Sequence, residues 1–181
     1  MREVVLDYLE TAWRQPDEGI WEVRGGRRHF VHSKVMAWVA FDRAARLSGQ
    51  MGDRAAAERW RRVAEAIRAE VCDKGYDPAL RSFVQSYGSK RVDASLLHIP
   101  LVGFLPPEDP RVRGTVEAIE RELMEDGFVL RYRTEAGVDG LPPGEGAFLA
   151  CSFWMVDALT MVGRRDDALR LFERLLALRN D

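Results

Sequence analysis

Apolar positions along the chain recur mostly at helical spacing. Val4, Val5, Tyr8, Leu9 and Ala12 fall on one face of an amphipathic helix that ends near Trp13. Pro16, Gly19 and the Gly25-Gly26 pair then impose a loop. Ser33 is placed to cap a second helix, which carries Val35, Met36, Trp38, Val39 and Phe41 and stops at Gly49. Asp53 caps a third helix running to about Asp73, with Gly75 as a left-handed terminator. Asp93 opens a short, very apolar helix over 96–104 that should be buried on most sides. Asp109 followed by Pro110 starts a fifth helix, ended by Gly127. A sixth begins after Gly146 with Phe148, Leu149, Phe153, Trp154 and Val156 and closes at Gly163; Asp166 caps the last, over 167–178.

Only SFVQSYG and FVLRYR alternate apolar with polar residues, and two such short stretches are too little to form the core. The fold class is therefore all-α. Helix, Gly49, Asp53, helix is echoed by helix, Gly163, Asp166, helix, which is the pattern of αα-hairpins. Long aromatic-rich loops at 14–32, 74–92 and 127–146 separate them. Short turns on one side and long loops on the other predict a ring of helical hairpins with a cleft on the long side.

Composition narrows the partners more than the fold. With 181 residues, 46% hydrophobic and 31% charged, the chain reads as one globular domain over 1–181. A formal charge of −2 gives no electrostatic reason to expect nucleic acid or an anionic membrane. No apolar stretch approaches the ~20 residues of a membrane span, and MREVVLDYLE lacks the apolar centre of a signal peptide, so a cytoplasmic location is the expectation. Cys72 and Cys151 show no metal-ligand spacing and read as free thiols. His29 and His32 lie in a loop and His98 on an apolar helix, which makes no metal set; neither metal nor cofactor is expected. No phosphate loop, dinucleotide fingerprint or nucleophile elbow is present.

The chemistry sits in the loops. The first, QPDEGIWEVRGGRRHFVHSK, combines Asp17, Glu18 and Glu22 with Trp21. A tryptophan offers a flat face to a sugar ring, and a carboxyl held beside it is placed to donate a proton. Arg24 and Lys34 are candidates to hold hydroxyls or tune that carboxyl. The third loop brings Arg131, Arg133, Asp139 and Glu145; the middle one brings Gln85, Tyr87 and Asp93. For Asp93 a helix N-cap is an equally good reading.

Three stretches, PDEGIWEVRGGRRHFVHSKVMAWVAFDRA, DASLLHIPLVGFLPPEDPRV and YRTEAGVDGLPPGEGAFLACSFWMVDAL, together resemble bacterial members of glycoside hydrolase family 15, the glucoamylase and trehalase family. They occur in family order and span nearly the whole chain, matching the C-terminal part of that catalytic domain. The resemblance implies an (α/α)6 toroid, here partial, with the active site among the long loops. It implies exo-acting hydrolysis of a terminal α-glucosidic bond with inversion, in a glucan 1,4-α-glucosidase or trehalase-like manner. Carried over, Glu22 following Trp21 is the general acid. Arg131 or Arg133 matches a substrate-binding arginine, and Glu145 a loop acid near the sugar; Trp21, Arg24, Lys34 and Asp93 join them as binding candidates.

Inversion needs a second carboxyl to activate water. The family's base follows the final helix pair, in a segment resembling Ala-Glu-Glu-Tyr-Asp, and this sequence stops at ALRND, a few residues before that segment would begin. Two expectations follow. The 181-residue chain by itself should be weak or inactive, with Glu145 as the only stand-in base; alternatively it is a non-catalytic carbohydrate-binding or decayed remnant. Exposed helix faces should favour a homo-oligomer or a complementing chain. A generic helical-repeat interaction module is the remote third reading.

Overall fold

The computed structural model describes residues 2–22, 26–133 and 147–179. Among them are seven α-helices: α1 (Arg2–Ala12), α2 (Val31–Gln50), α3 (Arg54–Lys74), α4 (His98–Leu101), α5 (Pro110–Leu123), α6 (Leu149–Met161) and α7 (Arg165–Leu176). A 3₁₀ turn, Ala94–Leu97, runs directly into α4. Two small antiparallel hairpins complete the described elements: β1 (Tyr76–Asp77) pairs with β2 (Ser82–Phe83), and β3 (Met124–Glu125) with β4 (Phe128–Val129). The all-α expectation holds.

The hairpin pattern has a simple physical origin. On α3 the buried residues are Ala57, Trp60, Ala64, Ile67 and Val71, alternating steps of three and four, so one straight stripe faces α2. On α2, Val31, Val35, Trp38, Phe41 and Ala45 form the matching stripe. Phe41 meets Trp60 at a ring separation of 5.6 Å, and Trp38 meets Phe104 edge-on at 5.2 Å. α6 and α7 pack as the second hairpin. A continuous apolar core threads all of these, from Leu6 and Trp13 through Leu96, Leu97 and Ile119 to Met155, Leu171 and Leu175. Apolar side chains also remain on the outside, notably Val4, Val5 and Tyr8 of α1 and Phe153, Leu169, Phe172 and Leu176 of the α6–α7 pair.

Caps behave unevenly. Asp53 accepts a hydrogen bond from the Ala56 N–H at 3.0 Å and Asp109 from the Arg111 N–H at 2.9 Å, as expected for N-caps. An Asp53→Ala variant is expected to lose about 1 kcal/mol of unfolding free energy in a urea titration; no loss would mean that water serves that helix end equally well. Several boundaries differ from expectation, and the helix expected over 96–104 is instead the 3₁₀ turn followed by α4, which ends at Leu101. Ser33 does not cap α2, which already begins at Val31; its hydroxyl donates to Asp17 instead, at 2.8 Å. Gly75 ends α3 in right-handed geometry, with φ −95°. Glycine serves there because a Cβ would stand 2.7 Å from the Val71 carbonyl oxygen and 2.9 Å from the Val31 side chain. α5 stops at Leu123 rather than Gly127, since the chain turns into the β3–β4 hairpin. Asp166 lies in the first turn of α7 behind Arg164, which stands at the cap position.

Candidate active site

The first long loop is closed at its base by a two-way backbone bridge, Asp17 N–H to Arg28 C=O and Arg28 N–H to Asp17 C=O, both 2.9 Å. Asp17 then organises the inside of the loop, accepting from the Gly19 N–H at 2.7 Å and from the Ser33 hydroxyl. A tight turn follows, in which the Glu22 N–H donates to the Gly19 carbonyl at 3.2 Å. Glu22 itself has φ 49°, the left-handed region that costs a non-glycine residue about 1 kcal/mol or more. Its side chain is exposed. The fold thus displays this carboxyl at the cost of backbone strain.

Trp21, one residue earlier, is half-buried and held from several sides. Its indole N–H donates to both oxygens of Asp93, each at 3.0 Å. Asp93 is 3% exposed and also accepts from the Gln85 side-chain amide at 2.9 Å and the Ser95 N–H at 2.8 Å. One carboxylate therefore caps the 3₁₀ turn and grips the indole of a residue 72 positions away. Around the Trp21 ring stand Trp154 at 5.9 Å, Phe148 edge-on at 6.1 Å and Tyr132 at 6.4 Å. The Arg131 guanidinium lies 5.7 Å from the Trp21 ring centre and 5.7 Å from that of Tyr132, within cation–π range.

Behind Trp154 is a pair of imidazoles that sequence patterning did not connect. His98 lies 4.3 Å from Trp154 and 5.2 Å from His32, ring centre to ring centre, and its Nδ1 is 3.1 Å from the Ser95 carbonyl oxygen. His32 stands in the first turn of α2, not in the loop. Burial pushes its pKa down to about 4, with the neighbouring His98 adding to the shift; His98 is lowered as well, chiefly by burial. Both are neutral at neutral pH. No spacing rule could have paired residues on α2, α4 and α6; the only sequence signal was three polar aromatics on otherwise apolar helix faces.

Other candidates scatter. Lys34 is 1% exposed and donates to the carbonyls of Trp13 and Gln15, so its amine closes the end of α1 rather than facing Trp21. Burial lowers its pKa, while Asp17 and Glu70 oppose the shift. Arg133 turns the other way, to the Glu122 carbonyl at 2.7 Å and the Glu125 carboxylate at 3.1 Å. Arg24, Asp139 and Glu145 lie outside the described residues. Burial raises the Cys151 thiol to about 12, which keeps it protonated and unsuited to nucleophilic attack. Among the described residues no three His, Cys, Asp or Glu side chains converge in a metal-binding group, and no helix is long and apolar enough to cross a membrane.

Comparison with known proteins gives this geometry a context. The family model described as Glycosyl hydrolases family 15 matches residues 2–179. The chain is 53% identical to a trehalase of Mycobacterium tuberculosis over 165 residues, covering 91% of this chain and 24% of the relative. With a trehalase of Thermoplasma volcanium it shares 41% identity over 179 residues, 98% of this chain and 28% of the relative. It spans about a quarter of the length of the curated relatives it matches. Among solved structures, a glycosidase in complex with glucose superposes with a TM-score of 0.80 at 25% identity, over 95% of this chain and 44% of the other. Sequence and fold agree, and the chain belongs to glycosyl hydrolases family 15.

Proposed function

We propose that this chain carries the acid side of an inverting, exo-acting α-glucosidase site of the trehalase type, with Glu22 as general acid. One observation carries the proposal: a strained turn presents the Glu22 carboxyl immediately after a tryptophan whose indole is clamped by a buried aspartate. Strain is retained where surrounding structure enforces it and function uses it. A glucose ring seated against the aromatic cluster would strip water from the exposed carboxyl, strengthening its interaction with the glycosidic oxygen. Arg131, beside Trp21, is the better placed of the two arginines to hold sugar hydroxyls. The trehalase names of the relatives and the glucose bound by the structural neighbour support a substrate with a terminal α-glucosyl unit.

The water-activating carboxylate is a separate question. Asp93 does not supply it, because its oxygens already accept from Trp21, Gln85 and Ser95. Glu145 is the remaining candidate within the chain, and we expect the isolated 181 residues to hydrolyse glucosides weakly. The saturated state of Asp93 also favours a second reading, a sugar-binding unit without turnover.

A panel of trehalose, maltose and isomaltose tests both. Glucose release by the chain should be slow, and Glu22→Gln should reduce it by about 10²–10⁴-fold, the usual contribution of a general acid. Glucose release that survives Glu22→Gln would remove Glu22 from its role. Family-like turnover abolished by Glu145→Gln would instead make Glu145 the base. Trehalose binding lost in Trp21→Ala, with no turnover in any variant, would establish the sugar-binding reading.

A further inference from the structure

We propose that Asp93 and Gln85 are positioning residues that fix the plane of the Trp21 indole, and through it the pose of Glu22, and that Asp93 does not itself bind sugar. This rests on Trp21 and Glu22 being the sugar-handling pair proposed above.

The geometry is unusual in one respect. The indole N–H of Trp21 is equidistant from the two Asp93 oxygens, 3.0 Å from each. A shared donor of this kind is held at the bisector of the carboxylate, so the position of the carboxylate sets the position of the ring. The carboxylate in turn is not free to rotate. The Ser95 N–H holds Oδ1 at 2.8 Å and the Gln85 amide holds Oδ2 at 2.9 Å, while Gln85 is itself 8% exposed and anchored through its own backbone to Val31 and Arg91. The Ala94 N–H, next along, donates to the Arg131 carbonyl at 2.9 Å. Segments from two long loops thus meet on the Asp93 carboxylate through Trp21 and Gln85, and the third is tied to the next residue through the Arg131 carbonyl.

The chemistry demands a carboxylate here. Trp21, Gln85 and Ser95 present N–H donors, which an ionised acid can accept on both oxygens. An asparagine cannot replace it in either orientation. Because the indole faces both positions equally, one of them would always place an NH2 donor 3.0 Å from the Trp21 N–H. Rotation of Gln85 relieves its own contact with such an amide but not that of the indole. Asp93→Asn should therefore loosen Trp21 in particular. Gln85→Met, which removes only the brace on Oδ2, should act in the same direction and more weakly.

Solvent exchange of the five tryptophan indole N–H groups, followed by NMR on the whole chain, reads this directly. Trp21→Phe assigns the resonance. Asp93→Asn should speed Trp21 exchange roughly tenfold or more, the size of a lost charge-assisted hydrogen bond, and Gln85→Met about fivefold. Trp13, Trp38 and Trp60 should be unchanged in both. Ile67→Ala, a core truncation on α3, provides a destabilised control in which Trp21 should keep its protection. Unchanged Trp21 exchange in both variants would overturn the proposal. So would equal loss at all indoles, since Asp93 would then be an ordinary structural cap. If Asp93→Asn fails to fold, Gln85→Met alone decides. Trehalose affinity is the separate readout of the underlying function: Trp21 exchange that rises while affinity stays constant would keep the positioning role and refute Trp21 as a sugar-binding residue.

Discussion

Replacing Gly114 with alanine is expected to destabilise the protein by about 2–3 kcal/mol, although helix propensity alone favours alanine by about 1 kcal/mol. Gly114 lies within α5, where the helical backbone tolerates any residue. The obstacle is a neighbour: a Cβ there would stand 2.1 Å from the Arg81 carbonyl oxygen and 3.2 Å from its carbonyl carbon. Arg81 forms the turn between β1 and β2 with φ 54°, already in the left-handed region. The hairpin cannot back away freely, because the Phe83 N–H donates to the Thr115 hydroxyl at 3.0 Å and that hydroxyl donates to the Arg111 carbonyl at 2.7 Å. Both contacting groups are backbone, so relief requires separating α5 from the hairpin. Steric overlap outweighs the propensity gain. Calorimetry should show the melting temperature falling by about 5–10 °C for a chain of this size; a rise would mean that the hairpin does not sit on α5 as described.

The second large effect is a loss of stability in mild acid, traced to the imidazole pair. His32 is lowered from its ordinary 6.5 to about 4 in the folded protein. Between those values the unfolded chain binds a proton that the folded chain does not. Stability is therefore fully present above pH 6.5 and declines as the pH falls towards 4, with His98 contributing in the same direction. The groups facing the pair are Trp154 and the Ser95 carbonyl, with Asp93 more distant and partly offsetting the shift on His98. His32 alone should account for about 2–3 kcal/mol over that window. Carboxylates with depressed values, such as Asp109 beside Arg111, lose their contribution at lower pH, below the ordinary aspartate range. The two windows are separable in urea titrations at a series of pH values. His32→Gln should flatten the change between pH 6.5 and 4 while leaving the more acidic loss in place. An unaltered profile would show that His32 is accessible to protons in the folded state.

Much of the helical framework is legible before folding. The stripe on α3 is visible because burial repeats every three or four residues, and local periodicity is a property of adjacent sequence. Asp53, and Asp109 with Pro110, also announce themselves, since a cap satisfies N–H groups only two or three residues away. Expectations failed where a residue had a second, distant partner to choose. Ser33 serves Asp17 across the loop rather than its own helix, and Gly75 is small because the Val71 carbonyl and the Val31 side chain of α2 both crowd it, not because its φ is positive.

The candidate site divides along the same line. Sequence alone determined that the chain is built of helical hairpins, that its charged and aromatic candidates gather in the long loops, and that Trp21 and Glu22 are adjacent in a glycine-rich turn, the pair on which the family likeness centres. Tertiary structure decided what the neighbouring charges do. It put Lys34 on the carbonyls that end α1, turned Arg133 towards α5, brought Arg131 to the Trp21 ring and closed Asp93 around the indole. Hydrophobic periodicity is written in near neighbours because burial is roughly additive along a helix. The partner of a buried charge is set instead by which loops the packed core brings together, and those loops are up to 72 residues apart in this chain.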